Sequence, residues 1–501
     1  MSNKTKKNKK TNKNYTKKKP KKCNLSFEEC ETMLLNQVVD KIETEQGRAL
    51  MNQPQVKKII NILESFLKKT KRICYGGTAI NNLLPKKEQF YDITIELPDY
   101  DFYSPSPIED AKQLADKFAN AGYSNVEAKS GIHVGTYKVF VDFIPIADIT
   151  ELPKSVYSRL KRESIVKSGI YYAPPNFLRM SMYLELSRPQ GAVQRWEKVY
   201  NRLKLLNKHY PLLPKDEKCT TKNGKIRNDI KIQRNEGKLT QRQQEQVYKM
   251  TKDFFIDREC VFFGAYAHQL YSRYMPSNLR RKNKHIPDFD ILSENIENDT
   301  NNLVISLASL ELRENDKLLD VKVIRKPNIG ELLPEHNEVL IGDEVVCYIY
   351  KPLACHSYNE ITLNDRKVRI ATIDTMLSFY LAFYYLNRNG YDDKRILCMS
   401  DFLFRVQEKN KLSQQGVLRR FTMSCYGTQQ SLRDIKEQRA NKFRDIKRLL
   451  RKNKPVPDDY ERWFLKYIPT DTAVRNKKIS LKKIKENISK QLLDTTDKAN
   501  N

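Results

Sequence analysis

Apolar positions along this chain change period several times, and each change marks an element. Ile59, Ile60, Leu63, Phe66 and Leu67 recur every three or four residues, which predicts an amphipathic helix. Lys68, Lys69 and Lys71 close it at the negative end of its dipole. Cys74 to Thr78 reads as a short strand running into a turn. Residues 91–97 (YDITIEL) alternate and predict a strand. Ser106-Pro107-Ile108-Glu109 has the residues of a helix start, and that helix continues through Leu114 and Phe118 to Gly122. Residues 133–149 (HVGTYKVFVDFIPIADI) predict one long central strand, apolar on both faces. Helical spacing returns over 176–209 and 374–386, and 431–453 forms a basic amphipathic helix.

The second half echoes the first. Residues 259–264 (ECVFFG) resemble 72–77 (RICYGG), 287–293 (PDFDILS) resemble 98–104 (PDYDFYS), and 345–352 (VVCYIYKP) resemble 138–145 (KVFVDFIP). These echoes predict an internal duplication of one α/β unit. The expected organisation is a disordered basic arm at 1–25 and a helical N-terminal region at 26–70. A first module at 71–212, a linker or insertion at 213–252, a second, degenerate module at 253–430 and a basic helical tail at 431–501 follow.

A length of 501 residues allows several cores. With 91 Lys and Arg against 61 Asp and Glu the net charge is +30, which favours a polyanionic partner such as RNA or DNA. Residues 4–22 alone hold eleven Lys and no acid, but 215–252 and 431–490 are basic too, so the bias is not only terminal. Nine scattered Cys with no CxxC argue for a reducing compartment and against a disulfide framework or a structural zinc site. The start has no apolar signal-like segment, and no apolar run approaches the ~20 residues of a membrane span, so a secreted or membrane protein is not expected.

The candidate chemistry lies in three pieces taken in order. Gly76-Gly77-Thr78 is a turn whose N–H groups and hydroxyl suit phosphate oxygens. Asp99 and Asp101, two apart, would share one face of a strand and want a cation between them, Mg²⁺ or Mn²⁺ by ligand type. Asp142, in an otherwise apolar stretch, is the expected third carboxylate. Each piece alone is common in turns, loops and cores; the ordered set is a two-metal nucleotidyl-transfer pattern. The second half repeats the pair as Asp288 and Asp290, with Ile349 in place of the third carboxylate and Gly264-Ala265 in place of the Gly-Gly, which predicts a catalytically inactive copy. Arg179, Arg195, Lys198 and Arg202 are candidate phosphate or RNA contacts, with a solvated helix face as the plainer reading of each. Tyr171, Tyr172, Trp196 and Tyr200 lie among these basic residues, where base stacking and core packing are the two readings.

On these motifs the chain resembles the DNA polymerase beta-like nucleotidyltransferase superfamily over about 70–200. Its layout is similar to viral poly(A) polymerase catalytic subunits of poxviruses and giant DNA viruses. The Lys/Asn-rich start and RWEKVYNRLKLLNKHYP at 195–211 look most like the mimivirus type. The resemblance implies an α/β fold with two tandem nucleotidyltransferase-like modules, and template-independent transfer of AMP from ATP to RNA 3′ ends with two Mg²⁺ or Mn²⁺ ions. By motif, Gly76, Gly77 and Thr78 would hold the nucleotide, and Asp99, Asp101 and Asp142 the metals. It also implies a host-cytoplasmic (viral factory) or virion location. A homodimer and a separate processivity partner are both compatible with it. Uridylyl, CCA-type or oligoadenylate transfer, and a non-catalytic RNA-binding protein on the same fold, are the alternatives.

Overall fold

The computed structural model describes residues 24–213, 219, 239–276, 288–386, 393–411, 413–452 and 454–469. Residues 1–23 of the basic arm, nearly all of the basic part of the insertion and the tail after 469 lie outside the described residues.

In chain order the elements begin with α1 (Phe27–Met51), α2 (Pro54–Thr70), β1 (Ile73–Tyr75), α3 (Gly76–Leu83), β2 (Tyr100–Ser104), α4 (Pro107–Asn120) and β3 (Val126–Ser130). Then come β4 (Thr136–Val141), β5 (Ile144–Glu151), α5 (Lys154–Glu163), β6 (Ile165–Lys167), β7 (Ile170–Tyr172), α6 (Pro175–Leu186) and α7 (Trp196–His209). The second half holds α8 (Gln241–Asp257), β8 (Val261–Phe263), α9 (Gly264–Ser272), β9 (Phe289–Leu292), α10 (Ile296–Ala308), and the short β10 (Arg313–Glu314) and β11 (Lys317–Leu318). It continues with β12 (Val321–Lys326), β13 (His336–Ile341), β14 (Glu344–Tyr350), β15 (His356–Leu363), β16 (Arg366–Ala371), α11 (Ile373–Leu386), α12 (Asp393–Lys409) and β17 (Cys425–Tyr426). The chain closes on α13 (Leu432–Arg451), α14 (Tyr460–Phe464) and β18 (Lys466–Tyr467).

Two eight-stranded sheets carry the fold, in the orders β18-β3-β4-β5-β2-β1-β7-β6 and β12-β13-β14-β9-β8-β16-β15-β17. Without the edge strands β18 and β17 they match strand for strand. Directions match as well: β2 runs parallel to β5 as β9 does to β14, and β1 parallel to β7 as β8 does to β16. The duplication reaches into side chains. The Ser104 hydroxyl donates to Asp110 Oδ2 (2.5 Å) and accepts the Ser106 N–H (2.9 Å); Ser293 does the same with Asp299 (2.5 Å) and Asn295 (3.2 Å). Helices α6 and α11, which follow the matching strands β7 and β16, bring the two modules together, with Phe177 edge-on to Tyr385 at 5.1 Å.

By contacts the chain divides into two compact units, Met1–Lys57 with Asp92–Leu97, and Lys58–Tyr91 with Pro98–Asn501. The expected helical region at 26–70 is thus not one unit. In the smaller unit, Gly47 lies so close to Ile95 that a Cβ there would stand 2.2 Å from the Ile95 carbonyl oxygen. Both sheets belong to the larger unit.

Four expectations need correction. Residues 91–97 are a turn, not a strand: Asp92 Oδ1 accepts the Thr94 N–H (2.9 Å) and hydroxyl (2.6 Å), an Asx turn that outcompetes the alternating pattern. Residues 133–149 are not one strand but the hairpin β4–β5, reversed at Asp142 and Phe143, whose φ values of 49° and 66° are those of a tight primed turn. The segment 213–252 is not all linker, because α8 begins at Gln241 with a Thr240/Gln243 capping box. Among the described residues, disulfides join Cys355 to Cys425 and Cys219 to Cys398, pairs 70 and 179 residues apart that spacing alone does not reveal.

The described part of the basic tail straps back onto the first module. β18 pairs with β3, Tyr467 donates to Asp116 Oδ1 (2.7 Å), and Arg439 donates to the Trp463 carbonyl (2.6 Å) and Ser130 Oγ (2.9 Å).

Asp110, 2% exposed, takes two hydrogen bonds from Arg72 (2.5 and 2.9 Å) besides that of Ser104, and so ties the start of β1 to α4. Removing it leaves a half-buried guanidinium without its partner. Asp110→Ala is expected to lower unfolding free energy by about 3 kcal/mol, read as a fall in urea midpoint with the slope unchanged.

Candidate functional site

β1 ends in extended backbone at Tyr75, and Gly76 turns at φ +71° directly into α3. A Cβ on Gly76 would stand 2.4 Å from Asp101 Oδ2, so both the backbone angle and the closeness of the carboxylate require glycine. Gly77 faces a different wall. A Cβ there would lie 2.7 Å from Tyr91 Oη and 3.0 Å from Arg202 Nη1. Arg202 Nη2 donates to Tyr91 Oη (2.6 Å), and its guanidinium lies over Phe90 (4.7 Å) and Tyr91 (5.4 Å). Thr78 is buried, and its hydroxyl donates to the Asp99 carbonyl (2.5 Å). That bond positions the backbone of Asp99.

Asp101 sits in β2 between two register partners: Tyr75 on antiparallel β1 and Asp148 on parallel β5. Direct neighbours in adjacent strands point to the same face, about 5 Å apart. Burial pushes the Asp101 carboxyl up to about 7, and Asp99 and Asp148 add to the shift; Lys138 and Arg195 oppose it. Asp99 is raised by burial and then by Asp148, with Lys138 again opposing. Lys138, across from Asp148 on β4, forms a close ion pair with it. Three carboxylates therefore share one charged neighbourhood, and the third is Asp148.

Asp142 is not part of it. It is exposed at the tip of the β4–β5 hairpin, six residues from Asp148 and about 20 Å of strand away. Pro145, the second residue of β5 and beside a register shift, was the signal that could have corrected the reading, because proline in a sheet marks a strand start or a bulge rather than the middle of a strand. Asp148, Lys138 and Tyr91 are the site residues that the sequence reading missed.

The four basic candidates separate. Arg179 is fully buried and structural, donating to Asn207 Oδ1 (2.6 Å) and also to Asn176 Oδ1 and the Tyr210 carbonyl. Arg195 stays more than half exposed beside Glu185 (3.2 Å) while its charge acts on Asp101. Lys198 is exposed on α7, and Arg202 closes the Gly77 side.

In the second module Gly264 repeats the turn at φ +65°, and a Cβ there would stand 1.8 Å from Asp290 Oδ2. The residue in register with Asp290 on β14 is Tyr348, not Ile349. The third carboxylate is absent there, and Tyr350 donates its hydroxyl to Asp290 Oδ1 (3.4 Å).

Among the described residues no three His, Cys, Asp or Glu side chains are drawn together tightly enough to hold a metal as they stand. Asp148 is engaged by Lys138. The donor set nevertheless fits a hard divalent cation: all ligands are carboxylate oxygens, and both the burial and the neighbouring charges that raise Asp101 are what such a cation offsets.

Residues 61–192 match the family model for the poly(A) polymerase catalytic subunit. A putative poly(A) polymerase catalytic subunit of Acanthamoeba polyphaga mimivirus is 35% identical over 158 residues, 31% of this chain and 26% of the relative. One from African swine fever virus (isolate Pig/Kenya/KEN-50/1950) is 28% identical over 178 residues, 34% of this chain and 37% of the relative. The aligned part thus spans well under half of either relative. The crystal structure of the Megavirus polyadenylate synthase superposes with a TM-score of 0.71, covering 96% of this chain and 92% of that one at 18% identity, a likeness of fold.

An aspartate raised from about 4 when unfolded to about 7 when folded keeps its proton longer in the native state. The stability it contributes is therefore present at low pH and lost as pH rises through 7. A bound divalent cation reverses that loss. Mn²⁺ is expected to raise the melting temperature more at pH 8 than at pH 6, and Asp101→Asn to abolish the difference. Equal shifts at both pH values in scanning calorimetry would contradict the arrangement.

Proposed function

We propose that the chain is a template-independent poly(A) polymerase, adding AMP from ATP to RNA 3′ ends with release of pyrophosphate. The observation that carries this reading is the carboxylate trio Asp99, Asp101 and Asp148 beside the Gly76-Gly77 turn, inside the segment matched by the poly(A) polymerase family model. The net charge of +30 suits a nucleic-acid substrate.

Asp99, Asp101 and Asp148 would hold two Mg²⁺ or Mn²⁺ ions, which when bound supply charge neutralisation and Lewis acidity for in-line displacement. The rest falls to the chain. The N–H groups of the Gly76-Gly77 turn open α3 and face anionic oxygens at the positive end of the helix dipole. Arg202, held by Tyr91, adds a fixed cation at the Gly77 side, and Arg195 a second beside Asp101. The RNA 3′-oxygen bonds to the α-phosphorus, the bond to the β-phosphate oxygen breaks, and the hydroxyl proton passes to a carboxylate of the trio. Lys138 balances the charge of Asp148 while no cation is bound. The second module keeps Gly264 and Asp290 but has Tyr348 in the third position, and serves as scaffold. The relatives' designation as a catalytic subunit makes a separate partner subunit part of the proposal, with a homodimer as the alternative. A viral factory or virion location goes with it.

Primer extension tests the reading. The full chain with labelled RNA, Mg²⁺ or Mn²⁺ and each NTP in turn is expected to extend only with ATP. Extension with UTP or CTP alone would change the transferred nucleotide and overturn the adenylyl assignment. Asp148→Ala is expected to reduce the rate at least a thousandfold, on the order of what loss of a metal ligand costs, and Asp142→Ala to leave it within about twofold. The reverse pattern would remove Asp148 from the trio.

A further inference from the structure

Helix α7 runs beside the carboxylates, with Arg195 acting on Asp101 at one end and Arg202 against Gly77 two turns later. On an adjacent face of the same helix stand Trp196 and Tyr200. Trp196 is fixed by its Nε1–H bond to the Glu185 carbonyl (3.0 Å). Phe421, from the second module, meets both: 5.7 Å from the Trp196 ring and 6.2 Å, edge-on, from Tyr200. After this packing Tyr200 is still 42% and Phe421 44% exposed.

Single exposed apolar side chains are ordinary, but this one is built. Phe421 sits at φ +54°, a backbone region costly for a bulky residue. Its loop is fastened on both sides. The Asn359 amide donates to the carbonyls of Val417 (3.0 Å) and Arg419 (2.9 Å). Arg420 is paired through two nitrogens with buried Asp374 (2.9 Å for one contact, 2.5 Å for the other). The Tyr358 N–H donates to the Ser424 carbonyl (3.1 Å), and Cys425 is bonded to Cys355. The loop holds an aromatic ring in the open, and the Arg420 guanidinium lies over Phe421 (4.6 Å) and Tyr200 (5.9 Å).

We propose that Trp196, Tyr200 and Phe421 form a stacking platform for the bases of single-stranded RNA leading to the 3′ end, with Arg195 just before α7 and Lys198 and Arg202 on it following its phosphates. This proposal rests on the polymerase reading only for naming the strand as RNA primer. Rings interleaved with cations in a groove are the recognised chemistry for single strands bound without sequence readout. Both modules contribute, so the platform exists only when they are docked.

The experiment compares a labelled single-stranded RNA with an abasic oligomer of equal length and charge, by anisotropy, without metal or nucleotide. The full-length chain is expected to prefer the base-bearing strand, and Phe421→Ala to lose about tenfold of that preference. Its salt slope should stay the same, because phosphate contacts are untouched. Phe421→Trp should keep the preference, and Tyr200→Ala gives an independent measure should Phe421→Ala fail to fold. Equal binding of both strands by the unmodified chain would overturn the platform, as would a preference that survives both alanine variants. A rise in KM for ATP with RNA affinity unchanged would overturn it in favour of the incoming adenine. If the base preference is found but no NTP is incorporated, the polymerase reading falls and the platform stands.

Discussion

Repulsion among Asp99, Asp101 and Asp148 is the constraint around which the first module is built. Two parallel strands in register place Asp101 against Asp148, and a buried threonine hydroxyl fixes the backbone of Asp99 next to them. Left alone, such a set is unfavourable: burial raises the Asp101 carboxyl, and Asp99 and Asp148 push it further in the same direction. The surrounding choices answer that repulsion. Gly76 gives Asp101 room that no other residue could, Lys138 offers a charge to Asp148 from β4, and Arg195 another from just before α7. A module with this geometry gains from binding a divalent cation.

The second module shows which parts of that design belong to the fold and which to the chemistry. It keeps the strand order, the left-handed glycine and the Ser-Asp latch at the start of the following helix. It loses the third carboxylate to Tyr348, and Asp290 is met by a tyrosine hydroxyl from the same strand. The latch, common to both modules, is thus structural, whereas the carboxylate trio is confined to one.

Much of the frame was legible in the sequence because it rests on local signals. Gly76 and Gly264 mark the same turn, the Asp-x-Asp pairs lie at matching places, and α2, α4 and α11 follow apolar spacing. What escaped was non-local. Asp142 and Asp148 lie on the same apolar stretch, and only the hairpin at Asp142-Phe143, with no glycine or asparagine to announce it, decides which one meets Asp101. Alignment with Asp142 gives Ile349 the third position, whereas the residue in register with Asp290 is its neighbour Tyr348, on the other face of the strand. Residues 91–97 alternate like a strand, but Asp92 holds its own turn. Long-range partners such as Cys355 and Cys425 leave no trace in spacing.

The position of α7 links these observations. A helix that only covered the sheet would need one apolar stripe, and α7 has that in Val199, Leu203 and Leu206. It also carries exposed Lys198, ring-held Arg202 and two aromatic rings, with Arg195 at its N-cap, and its neighbours divide these by role: Asp101 and Gly77 meet the arginines, Phe421 of the other module meets the rings. The second module, which lacks the third carboxylate, therefore contributes more than bulk. Its loop, pinned by Asn359, Asp374 and Cys355, completes a surface that the first module could not form alone. Docking of α6 on α11, with Phe177 against Tyr385, is then a condition for that surface as well as for stability.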